Sequence, residues 1–95
     1  MAELITRYLN AMCSLELAEE SAKRLNRLDD IEGGSWWHEI ELRLLKEEVH
    51  ELSNSACTAL WFLRFAVKKA PGDHEWLARK VESAWHNARS MALVY

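Results

Sequence analysis

The sequence predicts an all-α protein, an up-down-up bundle of three helices with a long central helix. Apolar residues recur at alternating spacings of three and four in three segments, which is the period of a helix. The 95 residues include only one proline and three glycines, so few positions interrupt these segments. A chain of this length is expected to form a single domain around one core, covering residues 1–95.

The first helix is predicted over residues 2–29. Alanines on its apolar side allow a neighbouring helix to approach closely, in the manner of a narrow coiled-coil stripe. Gly33 and Gly34 are expected to stop the helix, and Ser35 to cap the next one. The residues of the apolar stripe are Leu4, Tyr8, Ala11, Leu15, Ala18, Ala22 and Leu25.

The second helix is predicted over residues 36–69, with a length of roughly 50 Å at about 1.5 Å per residue. Residues 53–55 (Ser-Asn-Ser) are poor helix formers, so a kink or break at this point stays open. We favour a continuous helix because the apolar period passes through them in phase. The predicted stripe consists of Leu42, Leu45, Val49, Leu52, Ala56, Ala59, Leu63, Ala66 and Ala70.

The third helix is predicted over residues 73–93, after a turn at Pro71 and Gly72 and with Asp73 as its cap. Short connections make consecutive helices fold back on each other. Truncating a core residue such as Leu52 to alanine should cost about 2–5 kcal/mol. The predicted core contains Leu15, Leu25, Leu45, Leu52, Leu63, Leu77, Val81 and Ala84.

Charge is distributed unevenly, although the net value is only −3. Residues 1–60 hold twelve acids and six bases, and residues 61–95 hold six bases and three acids. No concentrated basic surface is available for phosphates, so nucleic acid is not an expected partner. The acidic band from Asp29 to Glu51 either meets a basic partner or is a solvated face, and we favour the solvated face.

The N-terminus lacks the basic region and apolar core of a signal peptide, and Arg64 interrupts the most apolar segment. No apolar run reaches the roughly 20 residues that a membrane span needs. We therefore expect a soluble, cytoplasmic protein that does not associate with membranes. Cys13 and Cys57 are expected to be reduced thiols, buried or half-buried, with the question of a disulfide left open.

Two short acidic motifs are candidates for sites of chemistry. Glu47 and His50 form a Glu-x-x-His, which resembles the motif of di-iron carboxylate bundles, but a second copy of the motif is missing. Glu47, Glu48 and Glu51 resemble half of the Mg²⁺ site of the all-α nucleotide pyrophosphohydrolases. The later helix offers no matching Glu-x-x-Asp, so neither function is transferred to this chain. No catalytic residue, cofactor or small-molecule substrate is predicted, and we do not expect an enzyme.

Five tryptophans are unusual in so short a chain. Trp61 and Phe65 lie opposite the predicted stripe of the second helix, where a three-helix bundle provides no cover. Large aromatics in such a place usually contact another chain. Core burial is the simplest explanation for Trp37, Trp76 and Trp85, although Trp37 stays a candidate contact beside Trp36.

The sequence thus favours a small non-catalytic helical interaction module that binds a larger protein as a regulator, inhibitor or adaptor. Accessory proteins of phages and mobile elements are of this type. One alternative is a self-assembling homodimeric structural protein, and another is a metal-binding protein with carboxylate and histidine ligands. The candidate partner-binding residues are Trp61, Phe65, Trp36, Trp37, Glu47 and Glu48.

Overall fold

The computed structural model describes residues 2–29 and 36–95. In these ranges the chain forms three helices and no strand: α1 (Ala2–Asp29), α2 (Trp36–Lys69) and α3 (Glu75–Val94). The predicted bundle of three helices is confirmed. The predicted stop at Gly33 and Gly34 and the predicted cap at Ser35 lie outside the described residues.

α2 is the central element, because α1 and α3 both pack on it and touch each other only slightly. One polar contact joins the two outer helices, from Asn87 Nδ2 to Glu19 Oε1 at 3.4 Å. The bundle is slender, measuring 57 × 16 × 16 Å. With 20 residues against 34, α3 is too short to cover the N-terminal third of α2.

The predicted apolar stripe of α1 is confirmed from Ala11 to Leu25, whereas Leu4 and Tyr8 are half-buried at the edge of the core. Ala11, Leu15, Ala18, Ala22 and Leu25 are all buried, the largest exposed fraction being 8%. Three alanines in this set allow the backbone of α2 to come close, as the sequence predicted. This contact runs along most of α1 and fixes the direction of the long helix.

The buried side of α2 differs from the prediction in both halves of the helix. Leu52 and Leu45 are only half-buried and Ala59 is exposed, so the prediction of a core position was wrong for these residues. Two helices pack on α2, and the buried side therefore faces the space between them. In the C-terminal half, Leu60 and Val67 are buried where the predicted stripe had Ala59 and Ala66. The buried side is therefore rotated by about one residue relative to the prediction, which assumed a single neighbouring helix. The buried residues are Val49, Ser53, Ala56, Leu60, Leu63 and Val67.

α2 is continuous through Ser53, Asn54 and Ser55, as favoured from the sequence. Ser53 is fully buried, and its Oγ donates a hydrogen bond to the carbonyl oxygen of Val49 one turn earlier. This bond satisfies the buried hydroxyl inside the helix. The small side chain also leaves room for close packing at the middle of the bundle.

The turn before α3 depends on Gly72, whose φ of +98° is in the left-handed region that glycine adopts readily. Helix α3 begins at Glu75 with His74 as its N-cap, so the predicted start at Asp73 was early by two residues. Asp73 still contributes at this end, because its Oδ1 accepts a hydrogen bond from the Glu75 backbone N–H at 3.2 Å. The His74 ring also bonds to the Pro71 carbonyl oxygen, at 2.6 Å.

The core of α3 follows the prediction, with Leu77, Val81 and Ala84 buried. Trp85 is buried as well, with 9% of its surface exposed. Core burial was the wrong explanation for Trp37 and Trp76, which are 62% and 52% exposed. The remaining predicted core residues, Leu15, Leu25 and Leu63, are buried.

Candidate protein-binding surface

One side of α2 faces away from both neighbouring helices for its whole length. A helix turns through a full circle every 3.6 residues, so the positions opposite Val49, Ala56 and Leu63 point to solvent. We call this side the outer face of α2. Its residues are all exposed: Trp36, Trp37, Ile40, Leu44, Glu47, Glu51, Asn54, Thr58, Trp61, Phe62 and Phe65.

The C-terminal apolar patch of this face consists of Trp61, Phe62 and Phe65. Trp61 and Phe65 meet edge to face, with ring centroids 5.2 Å apart and planes at 84°. The three side chains are 40%, 59% and 44% exposed, respectively. The structure thus brings Trp61 and Phe65 together, as predicted, and adds Phe62 to them.

Side chains of α3 hold Trp61 in place from behind. Its ring centroid lies 5.3 Å from that of the buried Trp85. The guanidinium of Arg64 lies 4.3 Å from the Trp85 centroid and 5.0 Å from the Trp61 centroid. Such contacts combine ring stacking with cation–π attraction. They leave the Trp61 ring with one packed side and one free side.

Arg64 is itself fixed by a two-point ion pair with Glu82. Arg64 Nε donates to Glu82 Oε2 at 2.7 Å, and a terminal guanidinium nitrogen donates to Oε1 at 2.9 Å. His86 Nε2 lies 3.3 Å from the same Oε1. Hydrogen bonding to Arg64 holds the pKa of the Glu82 carboxyl below its ordinary value of 4.5, and His86 adds a smaller contribution. Both oxygens of Glu82 therefore help to position the C-terminal apolar patch.

We predict that Glu82→Gln reduces the loss of stability in acid. The pKa of Glu82 is lower in the folded chain than in the unfolded chain, so its carboxylate stabilises the fold above pH 4.5. This contribution disappears as the pH falls through the lowered folded pKa. The free energy of unfolding in urea, measured at neutral pH and below pH 4.5, should thus fall less in Glu82→Gln than in the unchanged chain.

Glu75→Gln is the matched control for this measurement. Glu75 also pairs with an arginine on α3, Arg79, at 2.7 Å, but both side chains are largely exposed. Exposed pairs of this kind contribute little to stability. If the two variants gave the same acid dependence, the Arg64–Glu82 pair would contribute no more than an ordinary surface pair.

The N-terminal apolar patch of the outer face consists of Trp36, Trp37, Ile40 and Leu44. Trp36 and Trp37 stack with ring centroids 4.1 Å apart and an angle of 26° between their planes. Their exposed fractions are 61% and 62%, and Leu44 is 58% exposed. The predicted pair is therefore together at one end of α2, far from Trp61 and Phe65 at the other end.

The predicted acidic residues lie between the two patches. Glu47 is exposed at the middle of the outer face. Glu48 is at the edge of the face and lines a groove of about 470 Å³ between α1 and α2, together with Arg24 and Arg27. Glu48 thus shares its surroundings with two cations of α1, while Glu47 lines a separate groove of about 330 Å³ together with Arg43, Lys46 and Tyr95.

Glu47 and His50 do not belong to a cluster of metal ligands within the described residues. Among residues 2–29 and 36–95, no group of three or more histidine, cysteine or acidic side chains could hold a metal ion. Both cysteines are free thiols; Cys57 is half-buried as predicted, whereas Cys13 is exposed, so the prediction of a buried or half-buried position was wrong for Cys13. Within the same ranges, every helix is too short or too polar to cross a lipid bilayer.

Comparison of the chain with protein-family models, with curated proteins and with solved structures finds no match. The exposure, charge and side-chain contacts of the outer face are therefore the basis for inferring its function. Sequence reasoning missed Ile40, Leu44 and Phe62, although a signal for the first two existed. With Trp36 they recur every four residues, opposite the predicted stripe, and such spacing on a free side marks a second apolar surface.

Proposed function

We propose that this protein is a small, non-catalytic helical interaction module that acts as a regulator, inhibitor or adaptor by binding a larger protein. The observation that carries the proposal is the outer face of α2, with an apolar patch at each end. Clusters of exposed large apolar side chains of this kind are uncommon on monomers and typical of protein contacts. Tryptophan, present three times on this face, is among the residues that dominate binding energy.

The layout of the face supports a protein partner over a small ligand. The two patches lie at opposite ends of a 34-residue helix and form a convex surface, whereas small molecules bind in enclosed cavities. A partner must therefore extend along α2, and a long helix or a broad surface of another protein meets this requirement. Glu47 and Glu51, in the middle of the face, favour a partner with basic residues opposite them.

A self-assembling homodimer is the second candidate, and one observation favours it. The two apolar patches lie at similar distances from the middle of α2, so two antiparallel helices can cover both patches of both copies. A closed pair of this kind is the commonest form of oligomer. The two candidates differ in the molecule that covers the face, and both place the contact on the same residues.

We predict that Glu47→Lys combined with Glu48→Lys weakens the capture of a basic partner without unfolding the chain. Both residues are exposed, so the reversal removes attraction and leaves the core unchanged. Tagged chain from the native host, purified at low and high salt, should retain the partner best at low salt, because salt screens exposed charges.

The matched control is Glu16→Lys combined with Glu20→Lys on α1. These two glutamates are also exposed but lie on another helix, away from the outer face of α2. If both double variants retained the same proteins at every salt concentration, the acidic middle of α2 would be an ordinary solvated surface. If no protein were retained specifically by the unchanged chain, the binding function itself would be contradicted.

A further inference from the structure

The outer face of α2 carries seven of the twelve large hydrophobic side chains that are exposed among the described residues. Its N-terminal patch has exposed fractions between 38% and 62%, and its C-terminal patch between 40% and 59%. α1 and α3 pack on the opposite side of α2. Trp85 of α3 covers one side of the Trp61 ring and Phe62 borders α1, while the rest of both patches stays exposed.

The order of side chains along this face is self-complementary about a point between Glu51 and Asn54. Positions at equal distances on either side of that point carry chemistry that suits each other. Acidic residues correspond to amide or hydroxyl groups, apolar residues to apolar residues, and tryptophan to lysine. The matching pairs, at increasing distance, are Glu51 with Asn54, Glu47 with Thr58, Leu44 with Trp61, Ile40 with Phe65, and Trp36 with Lys69, which is exposed beside this face. Trp37 and Phe62, at the edges of the face, correspond to Lys68 and Arg43.

A second α2 in the antiparallel direction would bring all of these pairs into contact at once. Each carboxylate would meet a hydrogen-bond donor, and the Trp36 ring would meet a lysine ammonium. A parallel arrangement would instead set Glu47 against Glu47 and Glu51 against Glu51, and like charges disfavour such contacts. In the antiparallel pair the two Glu51 residues are instead offset by three positions and the two Glu47 residues by eleven, so like charges are farther apart and this direction is favoured.

The available area is sufficient for a stable pair. With about 150–250 Å² for each aromatic side chain, the two patches expose on the order of 700 Å² per copy. A specific interface of standard size buries about 800 Å² per partner. The polar residues between the patches add to the apolar area, so two copies reach the size class of a stable interface.

We infer that a second copy of this chain covers the outer face of α2, with the two α2 helices antiparallel and a two-fold axis between Glu51 and Asn54. The inference rests on the proposed function in one respect, namely that this face binds protein. It adds the identity of the occupant in the free protein. A larger partner that uses the same face then binds by displacing the second copy.

Disulfide trapping tests the direction and the register together. In chains carrying Cys13→Ser and Cys57→Ser, Glu51→Cys and Asn54→Cys are introduced separately, and the two chains are distinguished by isotope labelling. The inferred pairing sets these two positions directly opposite each other, within the roughly 7 Å between Cα atoms that a disulfide requires. After mixing and mild oxidation, the mixed disulfide should exceed either self-linked product several-fold in mass spectrometry.

Two controls define the contrary results. Glu47→Cys mixed with Asn54→Cys is about one helical turn out of register and should cross-link poorly. Leu9→Cys lies on α1 with a similarly exposed side chain and should not cross-link above background. Equal yields in all three mixtures would overturn the inference. So would a monomer mass for the unchanged chain in sedimentation equilibrium at micromolar concentrations.

The proposed function and this inference fail in different ways. A monomer that still retains a larger protein, and loses it on reversal of Glu47 and Glu48, overturns the second copy and supports the proposed function. A cross-linked dimer in the inferred register, with no larger protein retained at any salt concentration, supports the second copy and overturns the role as a regulator.

Discussion

Replacing Leu60 with alanine is expected to lower the free energy of unfolding by about 2–5 kcal/mol. Leu60 is fully buried, in a cluster that includes Ala11 and Leu15 of α1 and Leu77 and Val81 of α3. Truncation removes apolar contacts with both outer helices and leaves a cavity, because a tightly packed interior relaxes only in part. Urea unfolding followed by circular dichroism measures the change.

Leu52→Ala is the comparison that makes this measurement decisive. Leu52 was predicted from the sequence to be a core residue, yet it is only half-buried. Leu52→Ala should therefore lower the free energy of unfolding by less than Leu60→Ala does. Leu9→Ala, at a position that is 55% exposed, should change the stability by roughly 0.5 kcal/mol or less. A larger loss for Leu52→Ala than for Leu60→Ala would mean that α2 buries the other side.

Trp61→Ala is expected to weaken association by about 2 kcal/mol or more, which is roughly a 30-fold rise in the dissociation constant. The Trp61 ring has one free side on the outer face, and it supports the edge of Phe65. Its loss removes the centre of the C-terminal apolar patch. Sedimentation equilibrium measures the effect on self-association, and calorimetric titration measures it for a larger partner.

Leu17→Ala is the matched control for Trp61→Ala. Leu17 is a large apolar residue on α1, 54% exposed, and it does not belong to the outer face of α2. Its truncation should leave the dissociation constant unchanged. If Leu17→Ala weakened association equally, the contact would lie on α1 or be nonspecific.

Most of the fold could be predicted from the sequence because each helix carries a regular apolar period between strong breakers. The stripe of α1 was correct since it has a single main neighbour, α2. The buried side of α2 was predicted less well, because α2 packs against two helices. Leu60 and Val67 are buried although they lie outside the predicted stripe. The spacing of apolar residues within one segment does not reveal how many neighbours that segment has.

The candidate surface was predicted in part for a similar reason. Trp61 and Phe65 stood out because they lie opposite the core side of α2, and this argument needs only the helical period. The support from Arg64 and Glu82 could not be predicted, since these residues are 18 positions apart and meet only after α3 folds back. Burial of Trp85 alone among the three tryptophans assigned to the core likewise depends on the packing of α3.

The most direct test of the interaction surface sets Trp61→Ala beside Leu63→Ala, with association and thermal unfolding measured for both. Leu63 is 1% exposed and belongs to the core, whereas Trp61 is 40% exposed. We predict that Trp61→Ala mainly weakens association and that Leu63→Ala mainly lowers the unfolding temperature. If Trp61→Ala unfolds the chain as readily as Leu63→Ala, and association per folded molecule is unchanged, Trp61 is a core residue and the interaction surface is wrong.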